Sequence, residues 1–406
     1  MATTALREHP LPGSPALAAL LERVGEGSAE RERNREAPFA AIELVKRARL
    51  GGLRVPRGEG GGGASLRQLF EVLIALAESD SNVAHILRVH FAFVERLRAG
   101  FDPANHERWV GLVNEGKIFG NAVSEQNGRQ VGMGFETTLT PDPAGEGFRL
   151  NGEKFYSTGS MYSDFVQIYA STPEDTIAAI TLPIDREGMS VLDDWDGFGQ
   201  RLTGTGTTRL HDVRVEADEV VDLGSRADLE LAPGIHGAFL QLYLQAVTVG
   251  IVRAVRGDAV ALVRRRRRAF SHSTDGVPAH DPQVLQVVGE IAADAFAGEA
   301  IVLAAAERIE AAGESPAVDG RPDPGLAEAA QIAAAEAKVA IDSFAQRTAG
   351  ALFDAGGASA SQASYNLDRH WRNIRTISTH NPTFLKASAV GDHLVNGTPP
   401  PRNGFF

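Results

Sequence analysis

The sequence predicts an α+β fold in three successive parts, a helical lobe, a β lobe and a helical bundle, because its hydrophobic period changes twice. Apolar residues recur at spacings of three and four in Leu66 to Leu76 and Val83 to Leu97, as amphipathic helices require. From Lys117 to Val221 the period falls to two and turn residues become frequent, and from about Ala232 long Ala-rich helical patterns return. The expected boundaries are residues 1–116 for the N-terminal helical domain, 117–231 for a middle β-barrel or sandwich, and 232–406 for a C-terminal four-helix bundle.

Composition closes several routes. The 406 residues are 43% hydrophobic and 23% charged, enough for a large core divided between lobes. A net charge of -12 repels a polyanion over most of the surface, so no nucleic-acid partner is expected. No run of about 18 uninterrupted apolar residues occurs, and Met1 to Pro12 carries no signal pattern, so a soluble cytoplasmic protein with no membrane partner is expected. The absence of Cys excludes disulfides, thiolate metal sites and a Cys nucleophile. The eleven histidines show no metal-binding spacing, and neither a Ser-hydrolase elbow nor an NAD fingerprint is present.

Within the first part, GEGGGGAS (Gly58 to Ser65) has Ala64 where a phosphate-binding loop needs lysine, and no strand precedes it. It reads as a flexible loop. Asp102-Pro103 reads as a helix start, with Asp as cap and Pro at the first helical position. In the β part, Asn151-Gly152 is a two-residue hairpin signal, and Val166 to Ala170, Ile177 to Leu182 and Thr207 to Val215 are further strands. In the last part, helix starts are expected at Asp281-Pro282, Asp323-Pro324 and Asn381-Pro382. Arg264 to Arg268 would spread around a helix at about 100° per residue, which suits a solvated helix end with one or two arginines left for a phosphate group.

This order, together with FGNAVSEQNG (Phe119 to Gly128), NGEKFYSTGS (Asn151 to Ser160), GFGQRLTGTGTT (Gly197 to Thr208) and DRHWRNIRT (Asp368 to Thr376), resembles the acyl-CoA dehydrogenase superfamily over nearly the whole chain. The resemblance implies that fold and a flavin. It also implies that Ser124, Ser157 and Thr158 hydrogen-bond the ring edge, that Tyr156 lies against the ring, and that Trp195 and Thr203 contribute from the third segment. Arg267, three residues before Phe270, resembles the arginine that reaches flavin phosphate across a subunit boundary.

The departures bear on the reaction. Removing a proton α to a thioester carbonyl needs a carboxylate base. Asn381 stands where the dehydrogenase glutamate follows its arginine motif, and His236 to Arg256, the other known location, contains no Asp or Glu. The ending instead resembles the flavin monooxygenase branch, through Arg372, Asn373, Arg375, Thr376, His380 and Pro382 and then Gly391, His393, Asn396 and Gly397. SDSNVAHILRVH, ending at His90, matches the same branch. Arg372 and Arg375 are carried over as cofactor-binding residues, and His380, His90 and Thr158 as catalytic ones. His380, at an expected helix N-terminus, should be a neutral imidazole. His85 and His90 lie about 140° apart on one helix, so only one can face the pocket, and the resemblance selects His90.

The resulting expectation is a two-component monooxygenase that uses O₂ and takes FMN as FMNH₂ from a separate NAD(P)H:flavin reductase, with FAD the other possible flavin. It would form a C4a-hydroperoxyflavin and oxygenate a small molecule, an organosulfur compound first, otherwise an aromatic ring or an amine. The resemblance also implies a homotetramer. Two alternatives stay open at this point: an FAD-dependent acyl-CoA dehydrogenase or oxidase, and a catalytically silent structural member of the fold.

Overall fold

The structure is a computed structural model and describes residues 9–126, 135–225, 235–269, 271, 273–316, 321–401, 404 and 406. The α+β order expected from the period changes is observed. Seven helices come first: α1 (Pro15–Gly25), α2 (Ser28–Asn34), α3 (Phe39–Arg47), α4 (Leu66–Ser79), α5 (Ser81–Ile86), α6 (Arg88–Arg98) and α7 (His106–Asn114). Strands follow: β1 (Phe119–Ala122), β2 (Thr138–Pro141), β3 (Phe148–Lys154), β4 (Phe165–Ser171), β5 (Thr176–Pro183), β6 (Met189–Val191), β7 (Thr208–Val215) and β8 (Val220–Ser225). Long helices close the chain: α8 (Ile235–Arg265), α9 (Pro282–Gly313), α10 (Pro324–Gly356), α11 (Arg369–Ser378) and α12 (Thr383–Asn396).

The strands form one mixed sheet in the order β6-β7-β3-β2-β4-β5-β8, with β1 parallel to β4. Leu150, Val166, Ile168, Ile180 and Val213 fill its core. The larger core joins the first and last helical parts, because α8 packs against α4 as well as α9 and α10. Helix α8 is long and apolar enough to cross a membrane by length and composition, yet 83% of its apolar window is buried inside the fold. Burial on several sides by neighbouring helices accounts for that composition.

Several local expectations are corrected. Asn151-Gly152 does not turn the chain: it lies inside β3, where the register against β7 shifts between Leu150 and Gly152. A Cβ on Gly152 would stand 2.4 Å from Thr137 Oγ1, so glycine admits the neighbouring chain at a bulge. Asp102 has φ 52° and starts no helix; its carboxylate accepts from Trp109 Nε1 at 2.7 Å, and α7 begins only at His106. The Gly58 to Ser65 loop is pinned, not loose: the amides of Gly61, Gly62, Gly63 and Ala64 donate to Pro56, Gly52, Val55 and Leu53. Asp281 and Asp323 do cap α9 and α10, each with proline in the first turn. Asn381 does not cap α12; Pro382 occupies the N-cap, and the Asn381 amide donates to Gln241 Oε1 at 2.6 Å. The arginine run ends α8, with Arg264, Arg265, Arg267 and Arg268 exposed.

Candidate functional site

Three loop segments meet at one end of the sheet. Phe155 N donates to Ser124 O (2.8 Å), Ser157 N to Gly206 O (3.0 Å) and Gly159 N to Thr203 O (2.9 Å), so the three motif segments form one surface. Hydroxyls stitch it together: Thr203 Oγ1 donates to Gln200 O (2.8 Å), Thr203 and Thr205 pair at 2.7 Å, and Thr208 Oγ1 donates to Ser157 Oγ (2.9 Å).

Not every expected flavin contact is available. Ser157 and Thr203 have no exposed area, so the expectation that their side chains meet the ring is corrected: they hold the loops in register. Thr158 is only half-buried, and its Oγ1 pairs with Thr205 Oγ1 at 2.9 Å. Ser124 is also half-buried. Tyr156 is 58% exposed, held at φ 56° and set edge-on to Trp195 at 6.2 Å between ring centroids. Trp195 Nε1 donates to Gln200 O at 3.1 Å, which fixes its ring beside Tyr156. Two aromatic faces and one free-edged hydroxyl surface make a platform suited to a flat heterocycle.

The expected arginines divide. Arg372 is fully engaged: it donates to Asp368 Oδ2 (2.8 Å), Asn366 Oδ1 (2.9 Å), Phe198 O (3.0 Å) and Glu32 Oε1 (3.3 Å). Its assignment to the cofactor is therefore corrected to a clamp joining α11 to α2 and the third loop. Arg375 and Arg267 are exposed, and neither side chain has a hydrogen bond or ion pair among the described residues.

The histidines regroup as well. His90 has no exposed area; its Nδ1 accepts from Phe119 N at 3.2 Å, and its ring stacks on Phe119 at 6.1 Å. A Cβ on Gly51 would lie 2.3 Å from His90 Nε2, so backbone closes the other side. The expectation of a catalytic His90 is corrected to a core histidine. The helix breaks at Leu87, which ends α5 and precedes α6, and His85 takes the other direction. His85 Nδ1 lies 2.9 Å from Gln200 Oε1, and Gln200 Nε2 donates to Ser81 Oγ at 3.1 Å.

His85 stands with Arg88 and His380. Arg88 Nη1 lies 3.5 Å from His380 Nε2, while Arg88 Nε donates to Leu240 O at 3.0 Å. Burial, then the Arg88 charge, lowers His85 to about 4. The same two causes in the same order hold His380 well below the usual range, with His85, Lys338 and Lys386 adding to them. The expected helix terminus is not the cause, because α12 starts three residues later. His380 itself is exposed, so it forms the solvent side of this group, with buried Arg88 and His85 behind it. His236, in the first turn of α8, is lowered to about 3 by burial and by Arg96 and Arg88. Arg88 itself is pushed down by burial to about 10 and stays charged at neutral pH.

The group therefore combines neutral imidazoles with one permanent cation. Sequence reasoning missed Arg88, Gln200 and His236 and chose the wrong histidine. A usable signal was present: Ser81, His85 and Arg88 share a polar face at spacings of four and three, whereas His90 shares its face with Phe93 and Val94.

The donor set fits a flavin. The platform offers aromatic faces and neutral hydroxyls, exposed Arg375 and Arg267 offer charge for a phosphate, and the place of the dehydrogenase base is taken by Asn381, hydrogen-bonded to Gln241.

Comparison with known proteins agrees. Residues 242–383 match the acyl-CoA dehydrogenase C-terminal domain. The chain is 30% identical over 377 residues to the dibenzothiophene monooxygenase of Mycolicibacterium goodii, covering 89% of each. It is 28% identical over 401 residues to the probable FMNH₂-dependent monooxygenase SfnC of Pseudomonas putida, covering 96% of this chain and 97% of that protein. The FMN-bound crystal structure of TdsC from Paenibacillus sp. A11-2 superposes with a TM-score of 0.88 at 27% identity, covering 96% of this chain and 99% of that one. The chain belongs to the flavin-dependent monooxygenase branch of the acyl-CoA dehydrogenase superfamily.

Proposed function

We propose that this protein is the oxygenase component of a two-component system, taking FMNH₂ from a separate NAD(P)H:flavin reductase and inserting one oxygen atom of O₂ into a small organosulfur compound. The observation that carries this reading is the group of His85, Arg88 and His380, which has no carboxylate partner among the described residues, linked through Gln200 to the Tyr156–Trp195 platform. Relatives of nearly full coverage are named dibenzothiophene monooxygenase and FMNH₂-dependent monooxygenase.

Bound reduced FMN supplies the two electrons that activate O₂. The chain's own residues orient, shield and exchange protons. Thr158 and Ser124 would hold the ring edge, and Tyr156 and Trp195 would pack against the ring. Arg375, with Arg267 from a neighbouring subunit, would take the phosphate. Arg88 can only donate, so it makes His380 Nε2 the acceptor and puts the imidazole proton on Nδ1. His380 would thus stand as a neutral imidazole beside the bound flavin, on the solvent-reachable side of the group, able to exchange a proton there.

A homotetramer in the cytoplasm completes the proposal. Phe384 (72% exposed), Leu394 (71%) and Val395 (81%) of α12 and Phe296 (77%) of α9 are large apolar side chains that subunit contacts would cover.

The test is conversion of dibenzothiophene and a panel of small sulfides, sulfoxides and sulfinates under ¹⁸O₂ with reduced FMN supplied. One ¹⁸O atom per product molecule supports the proposal. Anaerobic bleaching of bound flavin by an acyl-CoA would overturn it.

A further inference from the structure

Gln200 is 1% exposed and holds φ 49°, a left-handed backbone that a non-glycine residue keeps only where its surroundings impose it. Main-chain bonds impose it here. Gln200 N donates to Asn373 Oδ1 at 2.6 Å, and Gln200 O accepts from Thr203 Oγ1 at 2.8 Å and from Trp195 Nε1 at 3.1 Å. A backbone N–H can only donate, so Asn373 must face it with its oxygen, and Asn373 Nδ2 then donates to Glu32 Oε2 at 2.8 Å. The backbone so fixed directs the side chain at two residues one turn apart on α5. Gln200 Nε2 donates to Ser81 Oγ at 3.1 Å, which leaves Oε1 as the atom 2.9 Å from His85 Nδ1. An amide oxygen only accepts, so the proton of that bond belongs to His85 Nδ1 and Nε2 is the bare nitrogen. His85 Nε2 makes no hydrogen bond among the described residues, yet it is not sealed in as the orphaned Nε2 of His90 is. Arg88 is the charged group that acts on His85, and His380 is the titratable one that faces it.

We propose that Gln200 is a positioning residue for the oxygenation: its side chain holds the His85 proton on Nδ1 and so presents Nε2 as a proton acceptor at the flavin site. This rests on the monooxygenase reading above and adds to it a residue that acts through His85. A histidine side chain free in water favours the proton on Nε2, so the opposite tautomer needs an acceptor placed at Nδ1, and Gln200 Oε1 is that acceptor. His380 is set the other way round, with its Nε2 turned to Arg88. One neutral imidazole therefore offers an acceptor and the other a donor, and a proton can be taken up and returned without a second buried cation beside Arg88. Gln200 also ties the two halves of the site together. Its carbonyl fixes the Trp195 ring and its amide fixes His85, so one strained residue sets the imidazole relative to the platform.

The experiment is solid-state ¹⁵N NMR of the full chain labelled at histidine, with the His85 signals assigned by their loss in His85→Gln. It is run for the wild type, Gln200→Met and Gln200→Glu, alongside FMN titrations and pH–rate profiles of each. Gln200→Met keeps the length of the side chain and every main-chain bond named above, so FMN affinity should hold. The expected result is a protonated Nδ1 and bare Nε2 in the wild type, the reverse in Gln200→Met, and the wild-type tautomer again in Gln200→Glu, whose carboxylate also accepts. Turnover should fall roughly 10- to 100-fold in Gln200→Met, the usual cost of removing the partner that orients a reacting imidazole. Gln200→Glu should recover much of it, with the acid limb of its profile moved to higher pH, because a carboxylate at Nδ1 favours the imidazolium. A role confined to packing would move neither the tautomer nor that limb. Two results would overturn the proposal: a proton on His85 Nε2 in the wild type, or a tautomer and turnover unchanged in Gln200→Met. The NMR readout needs no turnover, so it is separate from a failure of the monooxygenase reading, which would appear as no binding of reduced FMN by the wild type.

Discussion

The His380 Nε2 atom lies 3.5 Å from Nη1 of Arg88, so an ionisable imidazole is held against a guanidinium that keeps its charge at neutral pH. Burial first, and then this relationship, keep His380 neutral, and the guanidinium fixes its tautomer.

Replacing His380 by alanine is expected to lower product formation by roughly 10²- to 10⁴-fold, the usual range for a positioned proton donor or acceptor. FMN affinity should change little, because the platform residues lie on other segments. Oxygen uptake and product formation, measured together, check this: uptake should persist with hydrogen peroxide in place of product.

His85 and His90 should separate cleanly. His85→Ala is expected to reduce turnover with a small change in melting temperature. His90→Ala is expected to cost stability, because Phe119 N loses its acceptor and a ring-sized space opens beside Phe119. An unsatisfied buried donor alone costs about 1–3 kcal/mol. Urea titrations and steady-state rates of the two variants decide it, and a catalytically dead but fully stable His90→Ala would reverse the assignment.

This pair also shows what was legible in the sequence. The period changes and the Asp-Pro caps at Asp281 and Asp323 gave the element order, because helix and strand patterns are local properties of the chain. The helix break at Leu87 was not visible, and a single continuous helix therefore aimed the wrong histidine at the pocket. Asn151-Gly152 misled for a related reason: its glycine answers to Thr137, a residue outside the local window. Ser157, Thr203 and Arg372 lie in the right segments, but burial and hydrogen-bond saturation are tertiary facts that motif matching does not contain.

Thr158→Val should weaken FMN binding several-fold, the equivalent of about 1 kcal/mol for one hydrogen bond, and leave the fold intact because Thr203 still pairs with Thr205. Fluorescence titration with FMN measures it. Equal affinity would show that the Thr158 hydroxyl faces away from the flavin.

Stability should fall in mild acid. His85, His90 and His370 are each lowered by burial to about 4, whereas an unfolded histidine titrates near 6.5. Below about pH 6.5 the unfolded chain binds more protons than the folded one, so the stability present above that pH is lost as the pH falls toward 4. Lys386, lowered to about 7 by burial and Lys338, acts in the same direction above pH 7. Urea midpoints at pH 7.5 and 5.5 should therefore drop on acidification. Buried Glu32 and Asp80, whose pKa values are raised by burial, act with the opposite sign, so a midpoint that rises would mean the carboxylates outweigh the histidines.

The most direct test of the account is stopped-flow mixing of the protein, anaerobically loaded with reduced FMN, against oxygenated buffer. The predicted result is a transient flavin absorbance distinct from both the reduced and the oxidised spectra, long-lived in the wild type and shortened in His380→Ala. Reoxidation as fast as that of free FMN, with no transient and no measurable flavin binding, would contradict the central claim that the Tyr156–Trp195 platform and the Arg88–His380 group form an oxygen-activating flavin site.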